Sequence, residues 1–587
     1  MSPARRNRRH RRVWLLAGLP ALAICGLMLA LGLGLRDSAA AAQALQDRVT
    51  TTEGLLRSGN VKELGDSLRA IQASGQALES STQSWQWQFI ARLPGLAPTI
   101  KAVEALGDAA VTMSEATLPL AQAISSSTGG ADLLRRVPEL LPLLSRVSLG
   151  AQQASATLTP ATESGARLGL AEKALEAKNA LDSLSAATED IVKNAASLQD
   201  LLGFNGERRY LVMLQNPAEA RGSGGLFSAF LVLEVKDAKP VILEANSRKV
   251  LDELRIPTEG IVDEQGAALW GEAQSKWASF NVSANFPDVA RLAQAGMAAR
   301  GTPVDGVIAI DPGAVGAMLA GTGAVEHNKV TIDATSAAAF FTKDIYALYP
   351  SFTDVEAKDE LTLGLLYATM DSVLNRPLNL AALATSLPEA VADGHVKIWS
   401  ADIDESTWLD QLGASGSLES ADPETLAIAF NNGVGGKIDA YVKASAALTP
   451  GLCVDPAFAL PGYRLKTLAL KMTNETPLDL PAYVDFRLDD GPKTPGSTRT
   501  LIHVYGPVGA TEMSATIDGA PIDLVTGTEA GRPVWASEME LARGETRSLA
   551  ITFAELPRSR PETTIRANGA SPLTVTDAVD QVAEQCQ

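Results

Sequence analysis

The sequence predicts a multidomain fold with a single N-terminal transmembrane helix, an α-helical bundle, a central α/β (or α+β) domain and a C-terminal immunoglobulin-like β-sandwich. Three observations favour this fold class. An uncharged apolar run follows an arginine-rich start, apolar residues then recur at helical spacing, and short apolar runs separated by turns fill the rest. A chain of 587 residues is also too long for a single hydrophobic core.

The first 35 residues have the pattern of a membrane anchor. Residues 1–12 carry six arginines, and residues 13–35 carry no charge. At about 1.5 Å per helical residue, the uncharged run spans a hydrocarbon core of about 30 Å. Because arginines stay on the cytoplasmic side, we expect a single-pass plasma-membrane protein with a cytoplasmic N-terminus and an extracytoplasmic bulk. Small residues at 38–41 leave a cleaved signal peptide open as the alternative.

Charge and cysteine content narrow the classes of partner. The net charge is −18; the first 37 residues carry seven arginines and one aspartate, +6, which leaves −24 on residues 38–587. So acidic a chain repels phosphodiester backbones, and we expect no nucleic-acid partner.

Cys453 and Cys586 are candidates for a disulfide in an oxidising compartment, with two unpaired thiols as the alternative.

Residues 38–202 have the amphipathic pattern of packed helices. Leu64, Leu68, Ile71 and Leu78 follow one another in steps of four, three and seven residues. Prolines and glycines interrupt the pattern several times, which favours several helices over one. We interpret the segment as a helical bundle or stalk beside the membrane, with a simple spacer as the alternative.

Between residues 203 and 436, apolar β-type runs alternate with helical stretches. This alternation predicts one α/β or α+β domain. The predicted strands lie at 210–214, 226–235, 240–245 and 304–311. The predicted helices lie at 289–300, 313–320, 334–374 and 379–390.

Residues 437–587 show only β-type signals. Short strands are predicted at 465–473, 482–488, 499–505, 512–518, 534–541 and 547–553. Turn dipeptides such as Asp518-Gly519 separate them. Six strands at this spacing predict a β-sandwich of immunoglobulin-like size, a module that mediates contacts or stiffens a stalk.

The bend between the first two strands of the central domain is the most distinctive candidate site. Backbone N–H groups and a guanidinium at a sheet edge suit an anionic ligand, and a second arginine after the next strand would help to hold a phosphate. Salt bridges at strand ends, and turn-capping asparagines, are the structural alternatives. The candidate ligand-binding residues are Arg221, Gly222, Ser223, Gly224, Gly225, Arg248, Asn281, Asn285 and Asp311.

No complete catalytic motif occurs in the sequence. The four histidines are scattered, no CxxC is present, and neither a nucleophile elbow nor a phosphate-binding glycine loop opens a helix. We therefore expect no catalytic residues, no metal site and no cofactor.

Three segments in order carry a family resemblance. They read NGERRYLVMLQNPAEARGSGGLFSAFLVLEV, then FNVSANFPDVA, then VDGVIAIDPGAVGAMLAGTGAV. These segments resemble the bacterial domain-of-unknown-function family 4012, whose members are membrane-anchored envelope proteins. The resemblance covers about residues 206–330. Residues 437–553 resemble the β-rich tail of that family more loosely. It implies an envelope location without naming an activity.

A more distant likeness is to LytR-CpsA-Psr phosphotransferases, which move glycopolymers from a polyprenyl-pyrophosphate carrier to the cell wall. It implies that Arg221 and Arg248 match the two pyrophosphate-binding arginines, with Mg²⁺ as cofactor. The sequence departs from that pattern, because Gly-Ser-Gly stands in place of one aspartate and Lys249 in place of another. Without those carboxylates, metal-assisted transfer loses its metal ligands.

We expect a non-catalytic envelope protein that contacts the lipid bilayer. Its extracytoplasmic part would bind or scaffold a wall polymer, a lipid-linked precursor or other envelope proteins. The alternative is a LytR-CpsA-Psr-like, Mg-dependent transferase acting on a polyprenyl-pyrophosphate-linked glycopolymer. A receptor-like sensor is the third class, and it would need a signalling output that residues 1–12 hardly provide.

Overall fold

The structure is a computed structural model. It describes residues 47–48, 51, 61–82, 97–163, 170–453, 463–491, 494–555, 565–567 and 573–576. These residues form helices and several mixed sheets in a multidomain arrangement.

The fold class predicted from the sequence is wrong in its membrane part. It includes a transmembrane helix, and within the ranges just given no helix is both long enough and apolar enough to cross a membrane. The run for which that helix was predicted, residues 13–35, lies outside the described residues.

The N-terminal part of the described chain is a helical bundle. Its helices are α1 (Val61–Thr82), α2 (Ala97–Ser125), α3 (Gly130–Arg135), α4 (Val137–Glu163), α5 (Leu170–Lys193) and α6 (Ala195–Leu201). Helices α1, α2, α4 and α5 share one apolar core. The four residues predicted at helical spacing, Leu64, Leu68, Ile71 and Leu78, are all buried in it. The helical period therefore identified the packed face correctly, because each helix of a bundle buries one apolar face and leaves the opposite face in water.

The central domain is built on a five-stranded sheet in the order β3-β2-β1-β4-β7. Its strands are β1 (Arg208–Arg221), β2 (Gly224–Lys236), β3 (Lys239–Ser247), β4 (Gly306–Ile310) and β7 (Val396–Ser400), and a small hairpin adds β5 (Val325–His327) and β6 (Val330–Ile332). Strands β1 and β4 are parallel, and the other pairs are antiparallel. The strands predicted around 210, 226, 240 and 304 all exist.

Helices cover both faces of this sheet. The helices of the central domain are α7 (Glu264–Trp270), α8 (Phe286–Arg300), α9 (Pro312–Thr322), α10 (Ala337–Ala339), α11 (Ile345–Leu348), α12 (Val355–Asn375), α13 (Leu380–Ala392) and α14 (Ile403–Gln411), with a π-helical turn, Phe340–Asp344, between α10 and α11. Leu211 and Met213 face the core that contains α8, whereas Val212 and Leu214 face the opposite side. This alternation is the period of two expected for a strand covered on both faces.

Two elements at the end of the central domain escaped prediction. Strand β7 carries Lys397, which is buried and interrupts the apolar pattern of the strand. Helix α14 carries three acidic residues in nine, so its apolar periodicity is weak. Polar residues at buried positions hide an element from a reading based on hydrophobicity.

The β-sandwich consists of a six-stranded and a five-stranded sheet, in the orders β13-β12-β16-β10-β9-β18 and β14-β15-β11-β8-β17. Its strands are β8 (Leu426–Asn432), β9 (Val442–Cys453), β10 (Arg464–Asn474), β11 (Thr498–Tyr505), β12 (Thr511–Ile517), β13 (Ala520–Ile522), β14 (Val525–Glu529), β15 (Arg532–Leu541), β16 (Thr546–Glu555), β17 (Ile565–Ala567) and β18 (Leu573–Thr576). Edge strands β17 and β18 pair in parallel with β8 and β9. The sheets are therefore larger and more mixed than the immunoglobulin-like sandwich that we predicted.

The structure differs from the predicted sandwich at two places. Strand β8 pairs with β11, so a strand that precedes the boundary predicted at residue 437 is part of the sandwich. The segment predicted as a strand at 482–488 is a turn followed by an irregular loop, whose residues Tyr483 and Val484 pack into the core of the central domain. That packing, rather than pairing with a neighbouring strand, accounts for its apolar residues.

Candidate functional site

The predicted bend, residues 221–225, closes the β1–β2 hairpin; from here on the bend also includes the two preceding residues and means residues 219–225. Arg221 pairs with Gly224, and the regular register between the strands is interrupted at Leu214/Gln215 and between Asn216 and Ala220. These irregularities turn the end of β1 out of the sheet of the central domain. Ala220 consequently lies in the apolar core of the sandwich. The bend is thus a contact between two domains.

Two of the glycines in the bend are required by close backbone packing. A Cβ atom on Gly222 would lie 2.0 Å from the carbonyl oxygen of Val282. A Cβ atom on Gly225 would lie 2.2 Å from the carbonyl carbon of Asn216. Because no side chain fits there, glycine at these positions allows neighbouring backbone, not a ligand, to approach.

The guanidinium of the bend is neutralised inside the protein. Arg221 is 8% exposed and donates to Glu219 at 2.7 Å and to the carbonyl oxygen of Ala220 at 2.8 Å. Lys437 donates to the other oxygen of Glu219 at 2.7 Å. Burial alone would raise the pKa of Glu219, but the charges of Lys437 and Arg221 outweigh burial and lower it. Glu219 is therefore a buried carboxylate held between two cations.

A second carboxylate of this junction comes from a 3₁₀ turn, Asp439–Tyr441. Asp439 accepts from the backbone N–H of Ala220 at 2.7 Å and from the side chain of Asn432 at 2.8 Å. Burial raises the pKa of Asp439 to about 6. Asn431 adds a bond, accepting from the backbone N–H of Gly222 at 2.9 Å. Asp439 and Asn431 thus accept from backbone N–H groups of the bend, as buried polar groups require.

Ser223, Asn281 and Asn285 are also used within the protein. The backbone N–H of Ser223 donates to the carbonyl oxygen of Asn281 at 3.2 Å, and the side chain of Asn281 donates to the carbonyl oxygen of Gly225 at 2.8 Å. Asn285 accepts from the backbone N–H of Leu418 at 3.0 Å and donates to Asp288 at 2.7 Å. Both asparagines are at most 1% exposed, so they stabilise loops.

Arg248 and Asp311 lie elsewhere and have partners of their own. Arg248 forms a salt bridge with Asp252 in the turn after β3. Asp311 caps helix α9 by accepting from the backbone N–H of Gly313 at 2.7 Å, and it pairs with His395 at 2.8 Å. Burial alone would lower the pKa of His395, but Asp311 outweighs burial and raises it. The structure therefore does not gather the predicted residues into one cleft, and their binding of a ligand stays a prediction.

A pocket opens where β1 and β4 separate. Strand β1 pairs with β4 up to Leu214, and the pocket is lined by the next two residues, Gln215 and Asn216, and by Pro312, which follows β4. Ligands of α/β sheets bind at this position, beyond the carboxyl ends of parallel strands. The pocket is small, since its cavity volume of about 20 Å³ accommodates roughly one water molecule.

Helices α11 and α12 form the other wall of the pocket. The remaining lining residues are Leu214, Ser228, Ala229, Phe341, Ile345, Tyr346, Lys358, Asp359 and Thr362. The side chain of Asn216 donates to the hydroxyl of Tyr346 at 2.9 Å and to the carbonyl oxygen of Phe341 at 3.1 Å. These bonds fix the wall of the pocket against the end of β1.

One ion pair sets the charge of the pocket. Lys358 contacts Asp359, and the hydroxyl of Ser247 donates to the same carboxylate at 2.8 Å. Lys249 lies 3.7 Å from it. Burial lowers the pKa of Lys358, and the cations Lys437 and Lys249 lower it further, although Asp359 opposes the shift. The lining thus offers a cation and an anion side by side.

Only part of this pocket has a recognisable signal in the sequence. Gln215 and Asn216 are the first polar pair after the apolar run of β1, and the same logic that selected Asp311 after β4 would have selected them. No sequence signal marks Lys358 and Asp359 as pocket residues, because they lie in a stretch, residues 334–374, for which the sequence predicts only helix. Tertiary packing alone brings α12 to the end of β1.

Two other predictions concern metals and cysteines. Among the residues that the structure describes, no group of three or more histidine, cysteine, aspartate or glutamate side chains is arranged to hold a metal ion. Cys586 and the side chain of Cys453 lie outside the described residues, so the disulfide stays a prediction.

Comparison with known protein families gives a match for part of the chain. Residues 205–346 match the family described as protein of unknown function (DUF4012), which confirms the resemblance seen in the three sequence segments. The matched part includes the bend and the β1 side of the pocket, whereas Lys358 and Asp359 lie beyond it. Searches of curated proteins and of solved structures gave no match.

Proposed function

We propose that this chain is a non-catalytic binding protein for a hydroxyl-rich envelope polymer. The proposal is based on the geometry of the pocket, because the DUF4012 family, which residues 205–346 match, carries no functional description. The observation that carries the proposal is the mixed lining of the pocket. Ser228, Asn216, Lys358 and Asp359 combine donors and acceptors in one small opening. A hydroxyl group both donates and accepts, so a saccharide suits this lining.

A phosphate-transfer function has less support from the geometry. A pyrophosphate in the pocket would meet the carboxylate of Asp359, which repels it. Arg221, which the transferase alternative assigns to pyrophosphate, is already bound to Glu219. No observation therefore favours the transferase over a binding function.

The proposal includes an extracytoplasmic location for the described residues. It is supported by sequence alone, through the six arginines in residues 1–12 and the uncharged run after them. A C-terminal fusion to alkaline phosphatase, which is active only outside the cytoplasm, tests it. An inactive phosphatase, together with a fluorescent cytoplasmic reporter at the same position, would contradict this location.

Ligand binding tests the proposal directly. Purified full-length protein is titrated by calorimetry with soluble peptidoglycan strands, with chitin tetrasaccharide and with inorganic pyrophosphate. We expect a glycan to bind and to raise the melting temperature, because a ligand at a hundredfold excess over its Kd stabilises a protein by about 2.7 kcal/mol. Binding of pyrophosphate alone would overturn the proposal in favour of the transferase class.

A pair of variants localises the binding to the pocket. Asp359→Asn removes a charged acceptor, and hydrogen bonds to charged groups contribute about 1.5–3 kcal/mol, so we expect at least a tenfold weaker Kd. Glu360→Gln is the matched control, because Glu360 is the exposed next residue of α12. Equal affinity of Asp359→Asn and wild type would show that the pocket is not the binding site.

A further inference from the structure

One buried donor in the pocket has a hydrogen that the protein does not use. The hydroxyl of Tyr346 accepts from the side-chain nitrogen of Asn216 at 2.9 Å. That amide is fixed in this orientation, because its oxygen accepts from the backbone N–H of Ala218 and its nitrogen also donates to the carbonyl oxygen of Phe341. Among the described residues, no acceptor meets the hydroxyl hydrogen of Tyr346, which is 3% exposed. A buried donor of this kind requires a partner.

A second side chain of the pocket also has donors to spare. Lys358 carries three N–H groups, and within the described ranges only the carboxylate of Asp359 accepts from them. Burial raises the pKa of Tyr346 well above its usual range, so its hydroxyl keeps its hydrogen at neutral pH. Spare donors on two side chains match the two lone pairs of a carbonyl oxygen.

The rest of the pocket is largely apolar. Leu214, Ala229, Phe341 and Ile345 line it, and each is at most 4% exposed. A cavity of about 20 Å³ admits a small substituent of a sugar and excludes the sugar ring. A substituent that ends in a methyl group matches the apolar part of this lining, whereas a hydroxyl leaves it without an apolar partner.

Resting on the function proposed above, we propose that the group bound in the pocket is the acetamido group of an N-acetylated amino sugar. Its carbonyl oxygen accepts from Tyr346 and Lys358, its N–H donates to Asp359, and its methyl group packs against the apolar lining. An acetamido group both donates and accepts, as the proposed function requires, and it adds the methyl group. The ligand class is thus a polymer of N-acetylated sugars rather than of plain hexoses.

Asp359 selects the acetamido group among acetyl-bearing and acidic substituents. An ionised carboxylate accepts at about four positions, and hydrogen bonds from Lys358 and Ser247 occupy two of them. An amide N–H fits a remaining position, whereas an acetyl ester has no hydrogen to donate. A carboxylate or phosphate substituent is repelled by the same charge.

A ligand series tests the inference by calorimetry with the full-length protein. Chitin tetrasaccharide and cellotetraose differ at C2, which carries an acetamido group in the first and a hydroxyl in the second. We expect the chitin tetrasaccharide to bind about tenfold more tightly, because the hydroxyl leaves a buried donor unmatched. The N-propionyl analogue of chitin tetrasaccharide should bind about tenfold more weakly than the N-acetyl compound, because the cavity has no room for a further methylene.

Tyr346→Phe places the acetamido group in the pocket. The substitution removes the unused hydroxyl and keeps the ring, so we expect the preference for chitin tetrasaccharide over cellotetraose to fall severalfold while cellotetraose binds as before. Tyr367→Phe is the matched control, since Tyr367 is an exposed tyrosine of α12 outside the lining, and it should keep the full preference. Urea unfolding shows whether each variant is folded.

The outcomes separate the two proposals. If the wild type binds no tetrasaccharide and no peptidoglycan strand, the proposed function itself is overturned. If the wild type binds chitin tetrasaccharide and cellotetraose equally, or binds the N-propionyl and N-acetyl compounds equally, only the acetamido site is overturned. A folded Tyr346→Phe variant with the full preference overturns it as well. If that variant does not fold, the ligand series with the wild type still decides.

Discussion

The bend at residues 219–225 and the pocket lie along the same strand, and both contain paired charges, but only the pair in the pocket borders an opening. In the bend, Glu219 and Arg221 bind each other and Lys437, and the cluster seals two domains together. In the pocket, Lys358 and Asp359 also bind each other, but this pair lines an opening. Glycines and charges concentrated in a sequence therefore do not by themselves identify a ligand site, because a neighbouring domain supplies partners just as well.

One residue links the two regions. Gln215 lines the pocket, and its side chain donates to the hydroxyl of Ser223 in the bend at 2.8 Å. The domain junction therefore supports the wall of the pocket. From this arrangement we expect substitutions in the bend to act mainly on the free energy of unfolding, and substitutions in the pocket to act mainly on binding.

The largest effect is expected for Glu219→Gln. The substitution leaves Lys437 and Arg221 as buried cations without their shared carboxylate, and removing one partner of a buried ion pair costs about 3–5 kcal/mol. Urea unfolding of the full-length protein at pH 7 measures the loss. A variant as stable as the wild type that had lost binding of an anionic ligand would show that the bend is a ligand site.

The pH dependence of stability probes the same junction through Asp439. Its pKa is raised from 3.8 to about 6, so the folded protein binds more protons than the unfolded chain between these values. The contribution of this group to stability is therefore fully present below about pH 4 and is lost as the pH rises to about 6.

Since one pKa unit corresponds to about 1.4 kcal/mol, the contribution of Asp439 amounts to at most about 3 kcal/mol. In Asp439→Asn the oxygen that accepts from Ala220 remains and the titration disappears. We expect the difference in unfolding free energy between variant and wild type to change by that amount between pH 4 and pH 7. A constant difference across this range would show that Asp439 titrates normally.

Gly222→Ala tests the backbone contact of the bend. The new Cβ atom would lie 2.0 Å from the carbonyl oxygen of Val282, and overpacking of this kind costs about 1–3 kcal/mol. Gly65→Ala in helix α1 is the control, because the new Cβ atom would lie no closer than 3.9 Å to its nearest neighbours. That control should gain about 0.5–1 kcal/mol from helix propensity, so equal effects of the two substitutions would refute the packing argument.

The smallest change in stability is expected in the pocket. Ser228→Ala removes a hydroxyl that donates to the carbonyl oxygen of Leu214 at 3.1 Å, and one such bond contributes about 0.5–1.5 kcal/mol. We expect the unfolding free energy to fall by no more than this, while the affinity for the glycan falls severalfold. A loss of stability as large as that of Glu219→Gln would remove the distinction between the two regions.

Local patterns predicted many of the elements but not their assembly. The period of four and three found the buried face of α1, and the apolar runs found β1, β2, β3 and β4. The segment at 482–488 was predicted as a strand because it contains apolar residues. In the structure, Tyr483 and Val484 of this segment pack across a domain junction, and burial of this kind leaves the same apolar pattern in a sequence as burial in a strand. Strand β8 precedes the boundary predicted at residue 437 but pairs with β11, because strand pairing joins residues that are far apart along the chain.

Sequence patterns alone were enough for the helical spacing of α1, strands β1 to β4, the bend and the family segment, since each depends on residues close together along the chain. Only the tertiary structure decided what the bend does. Arg221 meets Glu219 two residues away, but Lys437 and Asp439 reach the bend from more than two hundred residues along the chain. Whether a charged side chain pairs with another residue or is accessible to a ligand depends on such distant partners, and only folding brings them into contact.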